Sequence, residues 1–188
     1  MHNKLPKKDR GMIMQLTESY IETIDAPIAG KTMMEKKRFM QSENDRIRKF
    51  LMHEPRGHLN MFGAILTEPC LPGSDLGILF MDSGGYLNMC GHGTIAAVTV
   101  AINNGLIAKK ERVVLDTPSG QVKCQVNYEN GKVKDVSFIN VPAFLLKKNI
   151  QVDVGDIGVI NLDIAFGGSF FAIVDAGLFD LRLDIQEQ

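Results

Sequence analysis

Apolar and polar residues are distributed along this chain in three different ways, and each way predicts a different kind of element. From 32 to 52 the apolar residues Met33, Phe39, Met40, Ile47, Phe50 and Leu51 recur at helical spacing, and Glu35, Lys36, Lys37, Arg38 and Arg46 are left for a wet face, so one amphipathic helix is expected. A short alternating run at 20–24 precedes it. After Pro55, Arg56, Gly57 and His58 the pattern shortens to runs rich in β-branched and aromatic residues, at 61–67, 76–81, 113–117, 120–128, 133–140, 163–166 and 170–174. Asn130 and Gly131 supply the positive φ that a tight hairpin turn needs between two of these runs. The third texture is 94–104, where Ile95, Ala96, Ala97, Val98, Val100, Ala101 and Ile102 leave no wet side and Gly105 is placed to end the helix. Such a helix should be buried with the sheet wrapped around it. The fold class expected is α+β, a mostly antiparallel sheet around a central apolar helix.

Composition narrows the classes of function. A chain of 188 residues can bury one good core with appendages. Residues 1–16 are polar and basic without apolar period and are expected to be a disordered leader, which leaves 17–188 as one domain. A net charge of -1 leaves no general positive field for phosphate backbones, so nucleic acid and membrane surfaces are not expected partners. No run approaches the roughly 20 apolar residues that span a bilayer, and no signal segment opens the chain, so a cytoplasmic location is expected. Cys70, Cys90 and Cys124 are too few and too widely spaced for a disulfide framework, and no metal site is expected.

Candidate chemistry gathers just before the apolar helix, in the stretch from Asp82 through Gly84, Gly85 and Asn88 to Cys90, Gly91, His92, Gly93 and Thr94. A thiol there meets the first-turn N–H groups and the positive end of the helix dipole, which favour thiolate. Gly91 and Gly93 would let an anion such as a carboxylate approach bare amides. The bland alternative is that Cys90 is inert filling, since cysteine is among the most buried residue types. His92 could equally be a satisfied polar residue at a helix start and Phe62 plain core. Neither a dinucleotide-binding glycine fingerprint nor a phosphate-binding loop is present.

The run from Met89 to Ile95, preceded by Met81 to Asn88, resembles the first catalytic motif of the proline racemase family. The resemblance extends over Glu54 to His58 with Met61, Phe62 and Gly63, over Leu115 to Gly120, over Asn140 to Leu145, and over Ala165 to Ile173. It implies a cofactor-independent racemase of the diaminopimelate epimerase-like fold, in which two similar halves each wrap a sheet around a helix and each contribute one cysteine. By motif, Cys90 is one acid/base, the amides of Gly91 and His92 hold the substrate carboxylate, the His92 side chain lies near the ring nitrogen, and Phe62 lines the pocket. Inversion at carbon requires a base and an acid on opposite faces, and two thiols can serve.

Against the family pattern, the second half is expected to be missing. A segment between Asp25 and Gly30 also reads as shortened, so a strand is expected to be lost near the N-terminus. Interconversion of L- and D-proline is the first reading, in a chain that is truncated and inactive alone unless it forms a homodimer. Within the family the alternatives are a hydroxyproline 2-epimerase and a trans-3-hydroxyproline dehydratase. Outside it they are a cysteine hydrolase pairing Cys90 with His53, His58 or His92, and a non-enzymatic remnant.

Overall fold

A computed structural model describes residues 11–15, 20–24 and 28–179, with side chains from 28 onward. These residues fall into two compact units, 1–141 and 142–188. The reading of 17–188 as one domain did not anticipate this division. Its physical basis is hydrogen bonding, because the strands of the second unit pair only among themselves.

The first unit is built on an eight-stranded sheet. Strands β1 (Gly11–Gln15), β2 (Tyr20–Ile24), β3 (Phe62–Thr67), β4 (Leu76–Asp82), β6 (Arg112–Thr117), β7 (Gly120–Glu129) and β8 (Lys132–Ile139) run in the order β2-β1-β3-β4-β6-β7-β8, and the two-residue β5 (Tyr86–Leu87) pairs with β4. Every pairing is antiparallel except β4 with β6. The mostly antiparallel α+β architecture expected from pattern is therefore present. The leader expectation fails over Gly11–Gln15, whose backbone joins both β2 and β3 in the ladder. Residues 1–10 and 16 lie outside the described residues. Strand β1 stands between β2 and β3 in the sheet.

The burial pattern along the strands shows what covers them. Strands β3 and β4 are buried at almost every position, as strands covered on both faces are, whereas β7 alternates exposed and buried residues as a one-faced strand does. On one face Ile65, Leu79 and Met81 join Met33, Met40, Leu51 and Met52 in a single apolar cluster. Helices α1 (Met33–Glu43) and α2 (Asp45–Met52) bring those methionines and Leu51. The single helix expected over 32–52 is broken at Asn44, which caps the end of one helix and the start of the next. Asparagine favours such positions because its side chain competes with helical backbone bonding. Thr32 opens α1 by accepting from the Glu35 N–H at 3.1 Å, while Glu35 accepts from the Lys31 N–H at 2.8 Å.

Helix α3 (Gly91–Asn103) covers the other face, packing against β8 and β3. Gly93, Thr94, Ala97, Val98, Ala101 and Ile102 are buried, and Gly105 ends the helix at φ 70 as its position suggested. The expectation of burial on every side is corrected on the opposite flank, where Ile95 is 39% exposed. The sheet embraces one side of this helix, and the other side carries Ile95 toward the solvent.

Cys124 lies on the buried face of β7, opposite Val113 and Phe138 in register, and burial pushes its thiol from the ordinary 9.0 up to about 11. The fold keeps this group neutral, so its contribution to stability is complete below the ordinary thiol value and is lost as pH rises through about 11. In urea titrations the parent chain should lose about 2 to 3 kcal/mol more than Cys124→Ala across that window. Equal losses would show that the thiol ionises freely.

The second unit is a three-stranded antiparallel sheet in the order β11-β10-β9, with β9 (Phe144–Asp153), β10 (Val159–Phe166) and β11 (Phe170–Ile173). Phe144, Phe166 and Phe170 stack across it with ring centroids 4.9 to 6.4 Å apart. Among the described residues no helix is long and apolar enough to cross a membrane.

Candidate active site

The motif around Cys90 begins as a turn. Strand β4 ends at Asp82, whose Oδ1 accepts the Gly84 and Gly85 N–H groups at 2.8 and 2.7 Å, while its own N–H donates to the Gly85 carbonyl at 2.9 Å. That closure reverses the chain into β5, which pairs back onto Phe80 and Met81 of β4. Three residues later the chain enters α3 with Cys90 as its N-cap, in extended backbone at φ -148 and ψ 120. Cysteine is an unusual cap, yet its sulfur takes the role that serine or threonine oxygen usually fills, accepting from the Gly93 N–H at 3.4 Å.

Cys90 and the other three residues singled out from sequence, Gly91, His92 and Phe62, come together at this end of the helix. His92 places Nδ1 at 3.4 Å and Nε2 at 3.7 Å from Cys90 Sγ, close enough to exchange a proton with the thiol. Phe62, at the start of β3, meets the His92 ring edge-on at 4.8 Å between centroids and 70° between planes. Gly91 and His92 are the first two residues of α3, so their N–H groups have no helical carbonyl to bond. A buried thiol, an exposed imidazole, an aromatic wall and first-turn amides therefore share one end of the helix. Such a site can bind a carboxylate and move a proton at the carbon beside it.

Two corrections follow from the geometry. The helix N-terminus was expected to make Cys90 acidic, but burial raises its thiol above the ordinary value. The Gly93 N–H draws it back in part, the Asp82 carboxylate adds to the rise, and the His92 N–H lowers it again. Desolvation outweighs the two N–H groups because Cys90 is only 9% exposed. The glycines also have a packing role that sequence did not reveal. A Cβ on Gly93 would stand 3.0 Å from the Phe80 ring and 3.1 Å from Cys90 Sγ, and one on Gly91 would stand 3.2 Å from the Phe138 ring. Phe80 and Phe138 are thus neighbours of the motif that the sequence reading missed. Phe80 could have been found from its place in the run before Asp82, whereas nothing local marks Phe138, on β8.

The histidines considered for a hydrolase are separated by the same geometry. His53 Nε2 lies 2.8 Å from the Ser83 carbonyl and His58 Nδ1 accepts the Asn60 N–H at 3.2 Å, while His92 alone of the three contacts Cys90. The remaining thiols lie elsewhere. Cys70 sits 3.8 Å from Met33 Sδ, in a loop whose Cys70 and Leu71 N–H groups both donate to Asp116, and Cys124 is within β7. Among the described residues no group of three or more His, Cys, Asp or Glu side chains could hold a metal ion.

Comparison with known proteins places this geometry among relatives. The family model for proline racemase matches residues 21–188. A proline racemase of Clostridioides difficile is 49% identical over 162 residues, which cover 85% of this chain and 48% of that protein. A trans-3-hydroxy-L-proline dehydratase of Bacillus cereus is 40% identical over 163 residues, covering 85% of this chain and 48% of the relative. The chain thus spans about half the length of the curated relatives it matches. Among solved structures, a hydroxyproline epimerase from Agrobacterium vitis with bound trans-4-hydroxy-L-proline superposes with a TM-score of 0.76 at 23% identity, over 96% of this chain and 55% of that one. At that identity the likeness establishes the fold.

Proposed function

The chain belongs to the proline racemase family, and on that premise we propose that it acts at the α-carbon of a cyclic amino acid, proline first, with Cys90 as the acid/base group on one face. The observation that carries this reading is the placement of Cys90 Sγ at the N-terminus of α3, 3.4 Å from His92 Nδ1 and beside the first-turn amides. In this reading the substrate carboxylate takes the N–H groups of Gly91 and His92, Phe62 lines the pocket, and His92 stands near the ring nitrogen. The Cys90 thiolate removes the α-proton, and the electron pair left on carbon delocalises into the carboxylate. Return of a proton to the same face restores the starting enantiomer, whereas delivery to the opposite face inverts it. No cofactor enters either step.

Inversion requires an acid on the opposite face, and among the described residues neither Cys70 nor Cys124 caps a helix. The contribution of these residues is one thiol. A second copy of the chain, pairing about a two-fold axis, is one source of the other. A reducing compartment such as the cytoplasm suits three free thiols. The second reading, epimerisation or dehydration of a hydroxyproline, uses the same first step, and the match to a hydroxyproline dehydratase favours keeping it.

The experiment is proton exchange in heavy water. Incubated with L-proline, the chain should wash out the α-proton slowly, as followed by NMR, with no accumulation of D-proline at low chain concentration. A folded chain that exchanges neither enantiomer of proline nor of hydroxyproline would overturn the reading.

A further inference from the structure

Helix α2 is amphipathic, yet its middle carries a buried cation. Arg48 is 5% exposed and its planar head faces two ways. Nε and Nη2 grip the Asp45 carboxylate at 2.6 and 3.0 Å, three residues back on the same helix, and Nη1 donates to the carbonyls of Asp82 and Ser83 at 3.1 and 2.7 Å. The two carbonyls belong to the turn that leads into the Cys90 motif.

We propose that Arg48 is a positioning residue for Cys90: the guanidinium, aimed by Asp45, fixes the turn after β4, and that turn sets where the thiol-bearing end of α3 begins. The inference rests on the role proposed for Cys90. Six residues separate Ser83 from Cys90, and little slack remains among them. Tyr86 and Leu87 are held in the ladder with β4, and Asn88 Oδ1 accepts from Lys37 Nζ of α1 at 2.5 Å. Ser83 is tied three times, by Arg48 at its carbonyl, by His53 at the same carbonyl, and through its hydroxyl to the Leu59 carbonyl at 2.5 Å. Of these ties only Arg48 is buried, so only its bonds are shielded from competition with water. A lysine could reach one carbonyl but could not grip Asp45 with a planar fork at the same time.

The test uses the full chain with Arg48→Met, Arg48→Lys and the gentler Asp45→Asn, which leaves the arginine in place but removes the charge that aims it. Iodoacetamide labelling of Cys90 and Cys124 is followed separately by mass spectrometry, beside a thermal melt. In each folded variant Cys90 should label faster, on the order of tenfold for Arg48→Met, because a loosened motif returns the thiol toward solvent and its ordinary acidity. Cys124 should stay as protected as in the parent, and α-proton exchange should fall by a similar factor. Arg48→Lys and Asp45→Asn should lie between. Parent-like labelling of Cys90 in folded Asp45→Asn would overturn the proposal, as would Cys90 and Cys124 opening together, which would make Arg48 a support of the whole core. Labelling needs no substrate, so a parent chain that exchanges no α-proton would count against the role of Cys90 while this test still decides the positioning.

Discussion

Cys90→Ser should reduce α-proton exchange by on the order of 10³-fold while leaving the fold intact, the size of loss typical when a general acid/base group is removed. The two effects separate because Cys90 holds two posts at once. As a cap it accepts the Gly93 N–H, and serine is among the residues best suited to that task, so the melting temperature should not fall. As a base it must ionise, and a serine hydroxyl ionises far less readily than even a thiol raised by burial. Exchange in the variant within tenfold of the parent would assign the proton transfer to another group, with His92 the first to examine because it contacts the same sulfur.

Gly93→Ala is expected to be the second most damaging change. The new methyl would press on Phe80, which is 1% exposed and cannot swing aside, and on Cys90 Sγ, which can. The strain therefore falls on the sulfur, which leaves the Gly93 N–H and its position over the amides. Overpacking of this kind costs about 1 to 3 kcal/mol of stability. A misplacement approaching 1 Å at a reacting atom costs on the order of 10²-fold in rate. Denaturation and exchange assays on one preparation would check both, and a parent-like rate would show that Phe80 yields instead.

The parts of this molecule that can be read from sequence are those whose cause is local. An uninterrupted apolar helix behind Cys90 and Gly91 announces α3, and Asn130 with Gly131 announces the β7–β8 hairpin, where both residues have positive φ. Other features depend on what lies opposite in space. Lys36 and Arg46 were both assigned to a wet face, yet Lys36 is buried, donating to the Thr67 hydroxyl at 3.2 Å and the Glu68 carbonyl at 2.7 Å. Phe50, counted as core, is 53% exposed with the Arg56 guanidinium 3.6 Å above its ring. Strand β9 escaped notice because Lys147, Lys148 and Asn149 interrupt its alternation at a bulge, where Asn149 has φ 55. The rise of the Cys90 thiol was hidden for the same reason: a helix N-terminus is visible in a sequence, whereas the depth of burial above it is not.

The boundary between the two compact units falls after Val141, beyond the last residue placed at the candidate site. Phe62, Phe80, Asp82, Cys90, His92 and Phe138 all precede it, and so do Asp45 and Arg48. One contiguous stretch of the sequence therefore encodes the thiol, the three phenylalanines around its motif and the Asp45–Arg48 pair, so a single recombination at that junction would pass them on together.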